Sequence, residues 1–389
     1  MKFNPDSNAF TSHLFLNLVK SLDDPFYGIK QTLKERGETN IFDEFFSSSS
    51  YQRIKSVEYT WKIYLRPFYY VKVFAELRAI LFKYVNHSKL LIYISDEGFW
   101  PRFILDALSQ KEMDFLIQRS SIVNIQHGYF DINTYKNSHT VFLKKIYNAF
   151  SRLIFGYTPF GFGFGKGNGI SLYLVYSNYE KEFLIKRGIH HNDIISASFL
   201  IKKKLIDQFD ALIKKKFEIK KKNTKQILFV LPYFLPGVGP TIPLGKFLDI
   251  FHKLFNELVL RGFTINLRFH PGMDLNECRA ILKKSIINEL VDVDCSENIA
   301  DSLSSVSYVL GFNSTMMYEA YILGLVPVVL INSYYPKSIY FLHEEIDIEL
   351  FTDKDIIKIF NIDTINVYSK NLVDSCKANE LLFLKKVLG

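Results

Sequence analysis

Residues 263–271 read FTINLRFHP, and the interpretation of that stretch sets the fold. Its first seven residues alternate and are rich in β-forming side chains, which predicts a strand. Proline cannot continue a ladder, so His270 and Pro271 fall where the strand stops and a loop begins. A second run, residues 306–312 (VSYVLGF), has the same character and is followed by Asn313, Ser314 and Thr315. The next residues, MMYEAYILG, carry a helical pattern, so Ser314 and Thr315 stand at a helix start. Ligands of open α/β sheets bind at the carboxyl ends of strands, and helix N-termini hold anions. Taken singly, His-Pro is a common strand terminator and Ser-Thr a common helix cap. The pair, in that order on strand ends of one domain, is expected to clamp a phosphate or diphosphate.

Outward from these two runs, residues 227–231 predict a strand, 235–243 a Gly/Pro loop and 246–261 an amphipathic helix stopped by Gly262. Residues 276–290 predict a helix, 291–294 a short strand, 298–303 a helical turn and 326–331 a further strand, with a helical tail over 353–389. This β-α-β alternation predicts a parallel sheet with right-handed crossovers over residues 226–389. Before it, residues 202–225 (KKKLIDQFDALIKKKFEIKKKNTK) are dense in lysine and mark a domain boundary, read as a basic linker or solvated face. A sharper reading of the same lysines is attraction to an anionic membrane leaflet.

Residues 1–201 are expected to form the first domain. Residues 1–88 read mostly helical, from the spacing in FTSHLFLNLVKSL and FAELRAILFKYV, with a polar break at 47–50. Residues 90–94 (LLIYI) predict a strand that ends in Ser95, Asp96, Glu97 and Gly98. Two carboxylates at a strand's carboxyl end can supply a general base, although the same residues also make an ordinary turn. A helix is expected from 103 to about 111. Residues 122–125 (IVNI) predict the next strand, ending in Gln126, His127 and Gly128, so His127 is a second candidate base. Residues 155–169 (FGYTPFGFGFGKGNG) hold too many glycines for a regular element and read as a lid or acceptor-side loop. They lack the Lys-Ser/Thr of a P-loop. A strand over 172–176, a helix opened by Ser177 and stopped by Gly188, and an apolar segment over 194–200 complete this domain.

The chain has 389 residues, 48% hydrophobic and 23% charged, a composition that builds a core and fits two domains of ordinary size. Its three cysteines, Cys278, Cys295 and Cys376, match neither a zinc spacing nor a disulfide framework and suit a reducing compartment. The first residues lack a signal-peptide pattern and no run is apolar for long enough to span a bilayer, so a cytoplasmic location is expected. A net charge of +8 suits nucleic acid, a membrane surface or an anionic small substrate. A non-catalytic nucleic-acid or membrane-surface binder is therefore one reading, but no nucleic-acid recognition motif accompanies the charge and no nucleic-acid partner is expected.

The set Asp96-Glu97-Gly98, His270-Pro271 and Ser314-Thr315 resembles the acidic, HP and S/S-T motifs of the bacterial sialyltransferases and their GT-B relatives. Order and approximate separation agree across both domains. The resemblance implies an α/β GT-B fold, two Rossmann-like domains whose parallel sheets face across a cleft, with the C-terminal helix packing back on the first domain. It implies an inverting glycosyltransferase that moves an acidic sugar (sialic acid, another nonulosonate or Kdo) from a CMP-activated donor to a glycan acceptor, lipid-linked, in bacterial surface polysaccharide or lipooligosaccharide synthesis. His270 would hydrogen-bond the leaving phosphate, with Ser314 and Thr315 holding the same oxygens. Glu297 falls where the family places a carboxylate for the ribose, and Arg268, Pro271 and Asn313 fall beside the nucleotide. Asp96 would take the acceptor's proton, beside Glu97. The resemblance implies neither metal nor other cofactor, the positive groups coming from the protein; Asp292-x-Asp294 reads as incidental. Peripheral contact with the inner membrane face would suit such an acceptor. Two departures are visible: Asn313-Ser314 stands for the serine pair, and Asp-Glu for Asp-Asp. Gln126-His127-Gly128 is closer to capsule and teichoic-acid-type transferases, with His127 as base and a UDP-sugar or CDP-polyol donor, and this alternative stays open.

Overall fold

A computed structural model describes residues 12–17, 26–45, 67–87, 89–95, 104, 106–108, 120–126, 146, 149–150, 153–154, 170–176, 178–217, 225–232, 234, 240, 242–312, 314–323, 325–331, 345–347, 381–383 and 385–387. The chain divides into two compact units, residues 1–201 with 376–389, and residues 202–375. Each contains a sheet of six described strands, every pairing of which is parallel. Parallel strands buried on both faces need long apolar runs and crossover helices, and the sequence supplies both.

In the first unit the strands are β1 (Ser12–Asn17), β2 (Ile41–Phe45), β3 (Leu90–Ile94), β4 (Ser120–Ile125), β5 (Leu172–Val175) and β6 (Ile194–Ser196). Their order is β2-β1-β3-β4-β5-β6. The connecting helices include α1 (Tyr27–Glu35), α2 (Pro67–Phe82), α3 (Asn178–Lys186) and the single turn α4 (Ser198–Ile201). The helical expectation for residues 1–88 is corrected at two places. Residues 12–17 are a strand paired between β2 and β3, and residues 41–45 form the strand beside it. The physical reason lies in burial: Leu14, Phe15 and Leu16 are all fully enclosed, and a run covered on both faces has no amphipathic period to read. Gly188 closes α3 with φ +90, as a left-handed stop requires.

The second unit holds β7 (Gln226–Val230), β8 (Thr264–Arg268), β9 (Asp292–Val293), β10 (Tyr308–Gly311), β11 (Val326–Ile331) and β12 (Glu345–Asp347), in the order β12-β11-β10-β7-β8-β9. Its helices are α5 (Lys203–Phe217), α6 (Leu244–Asp249), α7 (His252–Leu260), α8 (Leu275–Leu282), α9 (Ile299–Ser304) and α10 (Thr315–Ile322). The expected linker over 202–225 is therefore a helix through residue 217. Phe209 of α5 is buried with Leu228, Val230, Ala300 and Leu303, so its apolar face covers the sheet. The helix expected over 246–261 breaks at Ile250–Phe251, where Phe251 turns fully into the core, and Gly262 ends the second piece at φ +80. The helix expected to run to 290 stops at Leu282. Asp249 accepts hydrogen bonds from the Ser285 hydroxyl (2.5 Å) and the Ile286 N–H (3.1 Å), and a donor used there is lost to the helical ladder.

Among the described residues no helix is long and apolar enough to cross a membrane. The glycine-rich stretch 155–169, residues 218–224 and most of the expected helical tail lie outside the described residues; residues 381–383 and 385–387 of that tail are helical.

Candidate functional site

Strand order locates a site in the second unit before any side chain is considered. From β7 the chain builds outward through β8 and β9 on one side, then returns to add β10, β11 and β12 on the other. The connections leaving β7 and β10 therefore diverge, and a crevice opens at their carboxyl ends. His270 follows β8 and Ser314 follows β10, so the two flank β7. One intervening strand sets their strand ends about 10 Å apart.

Each of these two residues is fixed by its own local chemistry. β8 buries Ile265 and Leu267 against the core, and Phe269 continues that face. His270 then emerges exposed, and its Nδ1 accepts a hydrogen bond from the Gly272 N–H at 3.0 Å. With Nδ1 an acceptor, the proton of the neutral ring belongs on Nε2. The surrounding protein removes enough water to lower the His270 pKa from its usual 6.5, although the side chain still reaches solvent. A neutral imidazole that donates from Nε2 follows from the two facts together. The Met273 N–H closes the turn onto the His270 carbonyl (3.0 Å), Pro271 lies exposed within it, and Asp274 caps α8 through the Asn276 and Glu277 amides.

Ser314 is the N-cap of α10, accepting the Met316 N–H at 3.3 Å, with Thr315 the first helical residue. Phe312, just before it, packs in a ring cluster with Phe247 (5.3 Å) and Phe251 (5.7 Å), which anchors this strand end. Gly311 allows the close approach: a Cβ there would lie 2.9 Å from the Val230 carbonyl oxygen and 3.1 Å from the Met317 sulfur. Only glycine lets β10 meet β7 and α10 this tightly.

Arg268 is buried and engaged. Its Nη1 donates toward Asp294 Oδ2 (2.6 Å), the Ser302 hydroxyl (2.7 Å) and the Ser296 carbonyl (3.0 Å). Ser302 in turn donates to Asp294 at 2.6 Å, closing a ring of three side chains. Burial alone would raise the Asp294 pKa, but bonds from Ser302, Arg268 and the Ser296 N–H outweigh it and hold the carboxyl below its ordinary value. Asp294 had seemed incidental in sequence; it ties the end of β9 to the end of β8. Leu267 pairs with Val293 in register, which places Arg268 beside Asp294, a neighbourhood no sequence signal announced. Glu297 is exposed in the turn that this ring holds, directly before Asn298, the N-cap of α9.

In the first unit the chain builds from β1 to β2 on one side and then from β3 through β6 on the other, so its own divergence lies between β1 and β3. β3 ends two residues before Asp96, and the neighbouring β4 ends two residues before His127. Asp96, Glu97, His127 and Asn313 themselves lie outside the described residues. Two buried groups at these strand ends, Ser95 Oγ and Asn124 Oδ1, have no hydrogen-bond partner among the described residues; neither was singled out as a site residue from sequence. Gln126, fully buried, accepts the Tyr176 N–H at 2.8 Å. No group of metal-ligating side chains occurs among the described residues.

No protein-family model matches the sequence, and no curated protein matches it. Solved structures do. The wall teichoic acid polymerase TagF with CDPG is 12% identical, with 97% of this chain and 88% of that one covered at a TM-score of 0.50. The UDP-GlcNAc 2-epimerase from Neisseria meningitidis bound to UDP-GlcNAc is 12% identical, with 97% and 99% covered at 0.52. A glycosyltransferase from Rickettsia africae is 13% identical, with 98% and 96% covered at 0.50. These similarities establish the α/β GT-B architecture, two parallel sheets flanked by helices. An epimerase and transferases share it, so the reaction has to be argued from the site.

Proposed function

We propose that this chain is an inverting, metal-independent glycosyltransferase of bacterial surface-polysaccharide synthesis that uses a CMP-activated acidic sugar. The observation that carries the reading is the placement of His270 and Ser314 on either side of β7, at the carboxyl edge where strand order diverges. A nucleotide phosphate lying over β7 would meet the imidazole from one side and the α10 N-terminus from the other. As the bond from the anomeric carbon to the phosphate oxygen breaks, its electron pair goes to the CMP phosphate. His270 Nε2–H and the amides at the start of α10 stabilise that charge. The acceptor hydroxyl oxygen forms the new bond to the anomeric carbon from the opposite face, and its proton passes to Asp96. Glu297 takes the ribose hydroxyls. Arg268 supports the pocket through Asp294. The acceptor is a lipid-linked glycan.

A second reading keeps the same phosphate clamp but takes a CDP-polyol or UDP-sugar, with His127 as base. The adjacency of β3 and β4, and the likeness to a polymerase solved with CDPG, favour weighing it.

The test is nucleotide release from CMP-sialic acid, CMP-Kdo, UDP-sugars and CDP-glycerol with a panel of glycan acceptors. Release of CMP from a CMP-sugar is the expected result; no CMP release with any acceptor sinks the donor assignment. His270→Ala is expected to lower turnover on the order of 10²-fold through loss of leaving-group stabilisation. Unchanged CMP affinity in that variant would count against contact between His270 and the phosphate.

A further inference from the structure

The helix whose start faces the proposed phosphate site carries a single charge. From Ser314 to Leu323 the sequence reads STMMYEAYIL, and Glu319 is its one acidic or basic residue. Met316, Met317, Tyr318, Ala320 and Ile322 of α10 are buried, and Glu319 is buried with them. A carboxylate taken out of water needs a cation or several donors. Here Lys202 supplies the cation: its Nζ lies 2.5 Å from Glu319 Oε1, and the two side chains are 16% and 5% exposed. Lys202 is itself held in place. It is the first residue of the second unit, and its carbonyl accepts the Ile206 N–H (3.1 Å) at the opening of α5. Phe209 of α5 is buried in the same apolar cluster that takes Met316, Met317 and Ala320 of α10.

Stability alone does not call for this pair. A methionine and a leucine of similar volume would hold α10 as well or better, because a buried ion pair gives back in attraction about what it loses in hydration. What apolar packing does not supply is direction. A helix that is apolar on most sides and packs through two adaptable methionines can turn or slide with little change in buried surface. An ion pair has a defined geometry and resists both motions. Glu319 follows Ser314 by five residues, about 7.5 Å along the helix axis. A rotation of α10 that breaks the pair therefore also swings the Ser314 cap and the amides beyond it.

We propose that Lys202 and Glu319 are positioning residues for the phosphate clamp: their ion pair sets the rotation and axial seat of α10, and with them the aim of Ser314, Thr315 and the helix-start amides at the nucleotide phosphate. Both act through the helix, without touching the reacting atoms. The proposal rests on the reading of the β7 edge as the phosphate site and adds to it the device that keeps one side of the clamp in place.

Calorimetry on the full-length protein tests it, with CMP and UDP as ligands, cytidine and uridine as phosphate-free controls, and the thermal midpoint measured alongside. Lys202→Met leaves Glu319 buried without this cation, and is expected to lower both the midpoint and the nucleotide affinity. The deciding variant is the Lys202→Met, Glu319→Leu pair. Its midpoint is expected to return to within about 3 °C of wild type, since neither charge stays buried alone. Its nucleotide affinity is expected to stay at least about tenfold below wild type, while nucleoside affinity changes by less than about twofold. Glu319→Asp gives a second reading that does not depend on the double variant folding. It keeps the charge but shortens the reach by one methylene, and is expected to weaken nucleotide binding at least about threefold with nucleoside binding unchanged. Recovery of nucleotide affinity together with the midpoint in the double variant overturns the inference, because the pair would then be structural only. Equal losses of nucleotide and nucleoside binding overturn it as well, because the phosphate would not be what the pair serves. Wild type that binds no nucleotide defeats the phosphate reading and the inference with it; wild type that binds, with variants that bind equally, defeats the inference alone.

Discussion

The two sheets share one plan, six parallel strands whose order diverges beside a central strand, yet their carboxyl edges are finished differently. In the second unit the edge is pinned by side chains: Arg268, Asp294 and Ser302 form a closed ring, His270 is set by Gly272, and Asp274 and Ser314 cap the helices that follow. In the first unit the central strands are just as buried, but Ser95 Oγ and Asn124 Oδ1 at the same edge have no partner among the described residues. A preorganised edge suits the stabilisation of charge on a leaving phosphate, which requires donors fixed before the reaction.

The largest expected effect falls on the edge of the first unit. Asp96→Asn is expected to lower turnover by up to about 10⁴-fold while nucleotide binding, measured by calorimetry, persists. Loss of turnover in His127→Ala with Asp96→Ala still active would transfer the base to β4 and favour the second donor reading.

Next comes the ring on the pinned edge. Arg268→Ala leaves Asp294 buried without its cation, and a loss of about 3–5 kcal/mol in denaturant unfolding is expected. An Arg268→Met, Asp294→Leu pair should recover much of that stability, because no lone charge remains. If nucleotide affinity recovers with it, Arg268 acts by positioning; if it does not, the guanidinium reaches the nucleotide.

The first unit has its own buried polar pair at His13, whose Nδ1 lies 3.0 Å from the Tyr93 hydroxyl. Burial pushes the His13 pKa down from 6.5 to about 4, so the ring is neutral at neutral pH and makes no ion pair with the Glu38 carboxylate 3.9 Å away. The folded state resists protonation that the unfolded state accepts. The contribution is therefore complete above pH 6.5 and lost as pH falls through about 4, on the order of 3 kcal/mol. A His13→Gln variant should flatten that part of the stability–pH curve; an unaltered curve would assign the acid sensitivity elsewhere.

The smallest effect is at the α10 cap. Ser314→Ala is expected to cost about 1 kcal/mol of stability, and Ser314→Asn far less, since Asn also caps. A fall in nucleotide affinity greater than the fall in stability, in Ala and Asn alike, would separate ligand contact from capping.

Much of the second unit was legible in sequence because its strands have clear ends: Pro271, Gly262 and Ser314 punctuate it, and each does the expected local work. The first strands of the first unit were not, since Ser12 to Leu16 are buried without a break and burial erases the period that separates strand from helix. The ring around Arg268 escaped for a related reason. Arg268 and Asp294 are 26 residues apart, and their partnership exists only because β8 and β9 align.

The sequence alone established that two α/β halves carry titratable and hydroxyl residues at strand ends, because turn chemistry and apolar runs are local properties. Tertiary structure alone decided which of those ends are neighbours, that Arg268 is spent on Asp294, and that the lysine-rich segment begins as a packed helix. Strand order, register and the facing of a helix depend on what each segment meets across the fold, and no window of sequence contains its partner.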